Sequence, residues 1–204
     1  ILGEAGDDVI AGGEGADQID GGSGDDSILG GEGSDVLAGG EGADQIDGGA
    51  GADQIDGGAG ADQIVGGSGD DSILGGEGDD SILGDSGDDY IVGGIGSDAI
   101  DGGSGIDEID YSTDAAAGGD SGVTVDLSSG TATDGFGDSD TLSNIENIKG
   151  TDEADQLTGS AADNIILGEA GDDVIAGGEG ADQIDGGSGD DSILGGEGSD
   201  VLAG

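Results

Sequence analysis

Aspartate recurs every nine residues along the first half of this 204-residue chain, from Asp8 to Asp107. Each of these aspartates holds the sixth place of a unit with the pattern G-G-x-G-x-D-x-U-x, in which U is Ile or Leu. Carboxylate and carbonyl oxygens are the ligands that hard divalent cations such as Ca²⁺ prefer. The spacing therefore indicates a row of cation sites built from carboxylates and glycine-rich turns.

The regular register of these units argues against a disordered polyanion. Composition alone favours disorder, because 50 acidic residues face one basic residue, Lys149, and the formal net charge is -49. From Gly3 to Asp110, however, twelve units follow without a gap, each with Asp at position six and Ile or Leu at position eight. The same frame resumes at Gly150 and runs to Gly204. A disordered tract would not be expected to keep such a register.

Each unit combines a glycine-rich turn with a minimal strand. Glycines at positions one, two and four allow tight turns and close backbone approach. The x-U-x triplet places its aliphatic side chain on one face of a strand, and two units make one coil. Stacked coils form two parallel sheets with inward Ile rows, for example Ile19 over Ile55 and Ile91. The predicted fold class is all-β, a parallel β-roll (β-solenoid) with two nonapeptides per coil.

The stacked turns of this fold require a cation. Position-six carboxylates such as Asp17, Asp35 and Asp53 align along the turns, and a pair about 5 Å apart repels by roughly 3 kcal/mol at an effective dielectric constant of about 20. A Ca²⁺ ion between successive turns reverses that repulsion. Mg²⁺ fits less well because it demands tighter octahedral geometry, and softer metals would want His or Cys, which the sequence lacks.

These residues resemble the RTX, or haemolysin-type, calcium-binding repeats of secreted bacterial proteins, above all the repeat region of a giant secreted adhesin or of a surface or filament protein. The resemblance implies a parallel β-roll in which several Ca²⁺ ions lie between turns two units apart, held by position-six aspartates and turn carbonyls. Carried over, the pairs are Asp8 with Asp26, Asp17 with Asp35, Asp44 with Asp62, Asp53 with Asp71, Asp80 with Asp98, Asp173 with Asp191, and Asp182 with Asp200.

The same resemblance gives the full set of predicted calcium ligands. The carboxylate ligands are the position-six aspartates Asp8, Asp17, Asp26, Asp35, Asp44, Asp53, Asp62, Asp71, Asp80, Asp89, Asp98, Asp107, Asp173, Asp182, Asp191 and Asp200. The carbonyl ligands are the turn glycines Gly13, Gly15, Gly22, Gly24, Gly30, Gly40, Gly42, Gly49 and Gly51. Residues 150–167 depart from the motif, since Asn164 replaces Asp at position six and Thr151 and Ser160 replace Gly at position two, and the motif does not support calcium sites there.

Four segments make up the predicted organisation. Residues 1–110 form a β-roll of twelve nonapeptides, 111–149 a strand-and-turn insert, 150–167 degenerate repeats, and 168–204 a second β-roll. Residues 1–39 are identical to 166–204, which sets a longer period of 165 residues. We interpret this period as one module and the start of the next in a tandem array, in preference to an incidental duplication of the two ends.

The insert also resembles a recurrent RTX element. A strand is predicted where apolar residues alternate, at Val123, Val125 and Leu127. Residues that cap or extend the core are predicted at Leu142, Ile145 and Ile148. Asp138 and Asp140 could bind an ion or serve as structural acids of a turn, and the sequence leaves both alternatives open.

Nothing in the sequence indicates an enzyme. There is no His or Cys, and paired carboxylates recur with the repeat instead of forming one distinct constellation. Nucleic acid and anionic membrane surfaces are poor partners for a polyanion, and no apolar run is long enough for membrane insertion. The predicted partners are calcium and further copies, through self-association or tandem continuation into a filament. Position nine, predicted to point outward, is apolar at Leu29, Val65, Leu74, Leu83 and Val92. Three explanations stay open: sheet packing beneath the insert, simple tolerance of β-forming residues, or a lateral contact between solenoids.

The 165-residue period favours a calcium-stiffened spacer, filament or adhesin element that is secreted or held at the bacterial cell surface. The family resemblance implies type I secretion, with folding on calcium outside the cell. The alternative is a calcium-dependent folding and secretion module of a toxin or secreted hydrolase, which carries a single repeat run. A carbohydrate- or ice-binding module is disfavoured, because cations and regular Thr rows are missing from the sequence.

Overall fold

Position eight of each of the first eleven repeats lies within a β-strand of the unit Ile1–Asp107. The computed structural model describes residues 1–204, apart from the side chain of Ala115. The strands of this unit are β1 (Val9–Glu14), β2 (Gln18–Ser23), β3 (Ser27–Glu32), β4 (Val36–Glu41), β5 (Gln45–Ala50), β6 (Gln54–Ala59), β7 (Gln63–Ser68), β8 (Ser72–Glu77), β9 (Ser81–Ser86), β10 (Tyr90–Ile95) and β11 (Ala99–Ser104).

These strands are longer than the predicted x-U-x triplet, because each continues through the G-G-x of the next repeat. The backbone explains the difference. Close approach of glycines lets neighbouring coils bond along this stretch as well, and the N–H of Gly33 donates to the carbonyl of Ala50 over 2.6 Å. The same bond joins Gly51 to Ser68 over 2.7 Å. The turn is therefore confined to positions four to six.

The odd- and even-numbered strands of this unit form two separate parallel sheets, in the orders β1-β3-β5-β7-β9-β11 and β2-β4-β6-β8-β10. Equivalent positions 18 residues apart pair in register, so that Ile19, Leu37 and Ile55 stack in one row. The row continues through Ile73 to Ile91, and all five side chains are buried. This stacking confirms the predicted β-roll, and each buried side chain contributes roughly 1.5–3 kcal/mol.

The second unit, Glu108–Gly204, combines repeats with the insert. Its elements are β12 (Glu108–Asp110), α1 (Asp114–Ala117), β13 (Thr124–Asp126), β14 (Thr131–Thr133), β15 (Ser139–Ser143), β16 (Asn147–Lys149), β17 (Gln156–Thr158), β18 (Ile165–Leu167), β19 (Val174–Glu179), β20 (Gln183–Asp185), β21 (Ser192–Glu197) and β22 (Val201–Ala203). The strand orders are β15-β14-β13-β17-β19-β21 and β12-β16-β18-β20-β22.

The insert departs from the parallel pattern, since β13 pairs antiparallel with β14 and β14 antiparallel with β15. A local turn reverses the chain: Asp126 Oδ1 accepts the N–H of Ser128, and Gly130 has a φ of 69°. Buried side chains at Val123, Val125, Leu142, Ile145 and Ile148 agree with the predicted core of the insert. The one-turn helix α1 was not expected from the sequence.

Four of the five apolar side chains at position nine are exposed or half-buried. Leu74 is 38% exposed and Leu29 is exposed as well, whereas Val65 and Leu83 are half-buried. Val92 is the exception to the expectation, because it is buried in register with Leu74. Across the described residues, no helix has the length and apolar character needed to cross a membrane.

Candidate calcium-binding turns

From Asp26 onward, each position-six carboxylate of the regular repeats reaches back to the preceding coil. The Oδ1 atom of Asp44 accepts the backbone N–H of Asp26, and Oδ1 of Asp62 accepts the N–H of Asp44, both over 2.8 Å. The same bond brings together every aspartate pair carried over from the family resemblance: Asp8 and Asp26, Asp17 and Asp35, Asp44 and Asp62, Asp53 and Asp71, Asp80 and Asp98, Asp173 and Asp191, and Asp182 and Asp200.

With the exception of Asp200, each predicted carboxylate ligand has a second oxygen that is buried and accepts no hydrogen bond from the described residues. This holds for Oδ2 of Asp8, Asp17, Asp26, Asp35, Asp44, Asp53, Asp62, Asp71, Asp80, Asp89, Asp98, Asp107, Asp173, Asp182 and Asp191. Burying an anionic oxygen without a partner is costly, and a cation is the partner that compensates for it. The repetition of this feature along the turns therefore fits a row of bound cations.

Glycine at position one has no side chain that would collide with these oxygens. A Cβ atom on Gly30 would lie 2.6 Å from Oδ2 of Asp35 and 2.5 Å from the carbonyl oxygen of Gly48. On Gly48 it would lie 2.6 Å from Oδ2 of Asp53 and 2.5 Å from the carbonyl of Gly66. A carboxylate oxygen and a carbonyl oxygen thus converge where only glycine fits, and hard oxygen ligands of this kind suit Ca²⁺.

The predicted carbonyl ligands fall into two groups. Gly30 is at position one, and its carbonyl oxygen and Oδ2 of Asp17 would each lie 2.6 Å from a Cβ atom on Gly12. The other predicted glycines are at positions two and four, where the carbonyl packs against the equivalent glycine of the next coil, as Gly13 does against Gly31. Sequence reasoning passed over most position-one carbonyls, although position one is glycine in every repeat.

Position five carries a second row of hydrogen bonds that runs in the opposite direction. The Oδ1 atom of Asp25 accepts the N–H of Ala43 over 2.9 Å, and Oδ1 of Asp79 accepts the N–H of Ser97 over 2.9 Å. These side chains reach forward to the following coil on the exposed side of the turn. They join coils without an orphaned oxygen among the described residues, which fits a structural role.

Burial disfavours the ionised form of several position-six carboxylates. It raises the pKa of Asp71 to about 7, and the charges of Asp89 and Asp53 add to the rise. Burial likewise raises the pKa of Asp80 to about 6 and that of Asp173 to about 6. At neutral pH a carboxylate with such a raised pKa, above all Asp71, is partly protonated, and a bound cation would favour its charged form.

The degenerate repeats satisfy their position-six groups by hydrogen bonds. Asp155 accepts the N–H of Thr151 at Oδ2 over 2.7 Å and the N–H of Val123 at Oδ1 over 2.7 Å. Asn164 accepts the N–H of Ser160 over 2.8 Å, and its Nδ2 donates to the carbonyl of Glu146 over 2.6 Å. In both repeats the backbone N–H of the position-two residue, Thr151 or Ser160, donates to the position-six side chain, whereas the regular repeats leave an oxygen of that side chain orphaned.

Carboxylates alone do not build these sites. In the part of the chain that the structure describes, no three His, Cys, Asp or Glu side chains converge closely enough to hold a metal ion. Each turn instead offers carboxylate oxygen together with backbone carbonyl oxygen, as at Asp35 and Gly48. Lys149 is 28% exposed and lies 3.2 Å from the buried carboxylate of Asp110.

The family model of the RTX calcium-binding nonapeptide repeat matches this chain at residues 2–37, 29–64, 38–73, 56–91, 74–109, 140–175, 149–184 and 167–202. Among solved structures, the chain is similar to the extracellular lipase LipA from Serratia marcescens, with 22% sequence identity and a TM-score of 0.36. That match covers 71% of this chain and 29% of the lipase chain, a likeness that carries no argument about function. No curated protein matches the chain.

Proposed function

Because the chain belongs to the family of RTX calcium-binding nonapeptide repeats, we propose that it is a structural segment that folds on calcium and acts as a rigid spacer in a larger secreted protein. The observation that carries the proposal is the row of buried Oδ2 atoms without a hydrogen-bond donor among the described residues. Fifteen position-six carboxylates share this state, so that the demand for positive charge is distributed along the whole β-roll.

The proposed ligands are the position-six carboxylates and the turn carbonyls that face them. In one turn these are Oδ2 of Asp35 and the carbonyl of Gly48, which converge on Gly30. Bound Ca²⁺ supplies the positive charge that the acidic row lacks. The Oδ1 atom of Asp35 meanwhile holds the preceding coil through the N–H of Asp17. Binding and stacking therefore use the two oxygens of one side chain, and this links the calcium requirement to folding.

The long period of the sequence supports the spacer role. Residues 1–39 and 166–204 are identical, and strands β1 (Val9–Glu14) and β19 (Val174–Glu179) occupy the same positions of their modules. Repeated modules without a distinct catalytic constellation suit reach and rigidity. We place the segment outside the cell or at the cell surface, in an adhesin, surface-layer or filament protein, with tandem continuation or self-association as the means of assembly.

Small-angle X-ray scattering of one 165-residue module and of two modules in tandem tests the spacer role. In calcium, we expect the maximum dimension of the two-module protein to be about twice that of one module, because stacked coils add length in proportion to their number. In chelator both proteins should scatter as expanded chains. A two-module protein that scatters in calcium as two freely jointed bodies would refute the rigid spacer and leave a folding and secretion module as the function.

A further inference from the structure

A second group of buried acids lies in the second unit, outside the regular nonapeptide turns. Asp110, Asp114, Asp134 and Asp140 are each at most 3% exposed, and Tyr111 is buried with them. Lys149 pairs with Asp110 over 3.2 Å, and it is the only basic residue of the chain. The chain offers no second basic side chain to compensate for the negative charge of Asp114 and Asp134.

Asp134 has the same arrangement of oxygens as the position-six aspartates. Its Oδ1 atom accepts the N–H of Phe136 over 3.0 Å and that of Asp138 over 2.7 Å, and so holds a tight turn. Its Oδ2 atom is buried and accepts no hydrogen bond from the described residues. Among these residues, Asp134 is the one aspartate outside position six with such an orphaned oxygen. A buried anionic oxygen of this kind calls for a cation.

Asp114 lies against the same turn from helix α1. Its Oδ2 atom accepts the N–H of Gly135 over 2.9 Å. A Cβ atom on Gly135 would lie 3.1 Å from that oxygen and 3.3 Å from the carbonyl oxygen of Ser121. Burial raises the pKa of Asp114 to about 6, with the charges of Asp134 and Asp140 as further causes. The Asp114 carboxylate and the Ser121 carbonyl therefore meet in one corner of the insert, beside the residue that follows Asp134.

Tyr111 and Asp140 stand beside this corner. The Tyr111 hydroxyl donates to Oδ2 of Asp140 over 3.0 Å, and burial followed by the charge of Asp140 raises the pKa of Tyr111. The charges of Asp114 and Asp134 also act on the tyrosine. A neutral hydroxyl orients Asp140 without cancelling its charge, so the corner keeps a strongly negative potential.

We propose that Asp134 and Asp114 hold a hard divalent cation, of which Ca²⁺ is the best match, in a site that is separate from the nonapeptide turns. The corner supplies two carboxylates and at least one carbonyl oxygen, and water completes the coordination, as is usual for Ca²⁺. Asp140 and Tyr111 are positioning residues that add charge and close the corner. The site fixes the insert in the folded chain, and it rests on residues that the repeat pattern does not include.

Terbium luminescence tests this site, because tyrosine sensitises a lanthanide bound close to it and the sequence has two tyrosines and no tryptophan. Tyr90 directly follows the position-six Asp89 and would report on the repeat turns, so the full chain is studied in a Tyr90→Phe background. Tyr111 is then the sensitiser. We expect terbium emission that excess calcium displaces and that the Tyr111→Phe variant lacks.

The variant Asp134→Asn should reduce this emission to the level of Tyr111→Phe, whereas Asp138→Asn, an exposed neighbour in the same turn, should leave it unchanged. Circular dichroism in calcium establishes that both variants are folded, and calcium counting by native mass spectrometry gives a second measurement. Asp134→Asn should bind one ion fewer than Asp138→Asn, and Asp114→Asn should do the same. Emission and ion count equal in Asp134→Asn and Asp138→Asn would overturn the site.

Discussion

The Oδ1 atom of Asp35 accepts the backbone N–H of Asp17 over 2.8 Å, and the Oδ2 atom of the same carboxylate accepts no hydrogen bond from the described residues. The N–H of Asp35 in turn donates to Oδ1 of Asp53 over 2.8 Å. One oxygen of each aspartate therefore joins two coils, while the other lies against the position-one glycine, as Asp35 Oδ2 does against Gly30. The fold and the proposed calcium site consequently share the same side chains.

Replacing Asp35 by Asn should affect the calcium-bound and calcium-free chains in opposite directions. The amide keeps the Oδ1 acceptor and removes a buried charge, so the calcium-free chain should lose less stability from repulsion. The calcium midpoint should rise by roughly 10- to 150-fold, because a lost charged ligand corresponds to roughly 1.5–3 kcal/mol. Calcium titration followed by circular dichroism measures both effects. The exposed Asp20→Asn is the charge-matched control, and an equal response of the two variants would contradict the proposed role of Asp35.

Restoring aspartate at position 164 should create a calcium site. Asn164→Asp removes the bond from Nδ2 to the carbonyl of Glu146 and leaves an anionic oxygen in its place. We expect one additional bound calcium in native mass spectra. At low calcium we expect a loss of roughly 1–3 kcal/mol in the free energy of unfolding, since the new oxygen lacks a donor. Gln183→Glu adds the same charge at an exposed position and should bind no additional ion.

A methyl group at position one should crowd the carboxylate and carbonyl oxygens of the turn and destabilise it. Gly30 lies outside the positive-φ region, so Gly30→Ala tests crowding against Asp35 Oδ2 and the Gly48 carbonyl without backbone strain. We expect a cost of roughly 1–3 kcal/mol and a higher calcium midpoint. Thermal unfolding in saturating calcium measures the stability. The exposed Ser27→Ala, also in β3 (Ser27–Glu32), is the control and should unfold like the parent chain. A Gly30→Ala variant that unfolds like the parent chain would show that the turn does not require glycine at position one.

Mild acid should substitute partly for calcium. The folded pKa of Asp71 is about 7 and those of Asp80 and Asp173 are about 6, all above the ordinary 3.8. Folding then takes up protons, and proton binding stabilises the folded chain relative to the unfolded chain. This stabilisation is fully present below the ordinary pKa and is lost as the pH rises through about 6 to 7. In chelator we expect more β-structure by circular dichroism at pH 5 than at pH 8. A calcium-free chain that gains β-structure as the pH rises would contradict the raised pKa values.

The periodic parts of the fold could be predicted from the sequence, because Ile19, Ile55 and Ile91 recur with a spacing that stacks them. Strand length could not, since glycine has low strand propensity and the extra residues are held by bonds between coils, such as Gly33 to Ala50. The antiparallel pairing of β13 with β14 could not be predicted either, because it depends on one local turn that does not recur along the sequence.

The candidate calcium sites could likewise be predicted only in part from the sequence. Position-six aspartates are apparent from their spacing, whereas the convergence of Asp35 with the Gly48 carbonyl exists only once coils are stacked. Asp134 was passed over because its buried oxygen results from a tight turn and from the approach of α1 (Asp114–Ala117). The Asp134-Gly135 sequence within that turn was the available signal.

Calcium titration of the chelator-treated chain, followed by far-UV circular dichroism with magnesium as the control, tests the central claim most directly. We expect a cooperative change from coil to β-structure at about 0.1–1 mM calcium, the range of extracellular calcium modules, and little change with magnesium. Full β-structure in excess chelator at neutral pH would contradict the claim. The stacked Ile rows and backbone bonds would then suffice for folding, and the buried Oδ2 atoms would not require calcium.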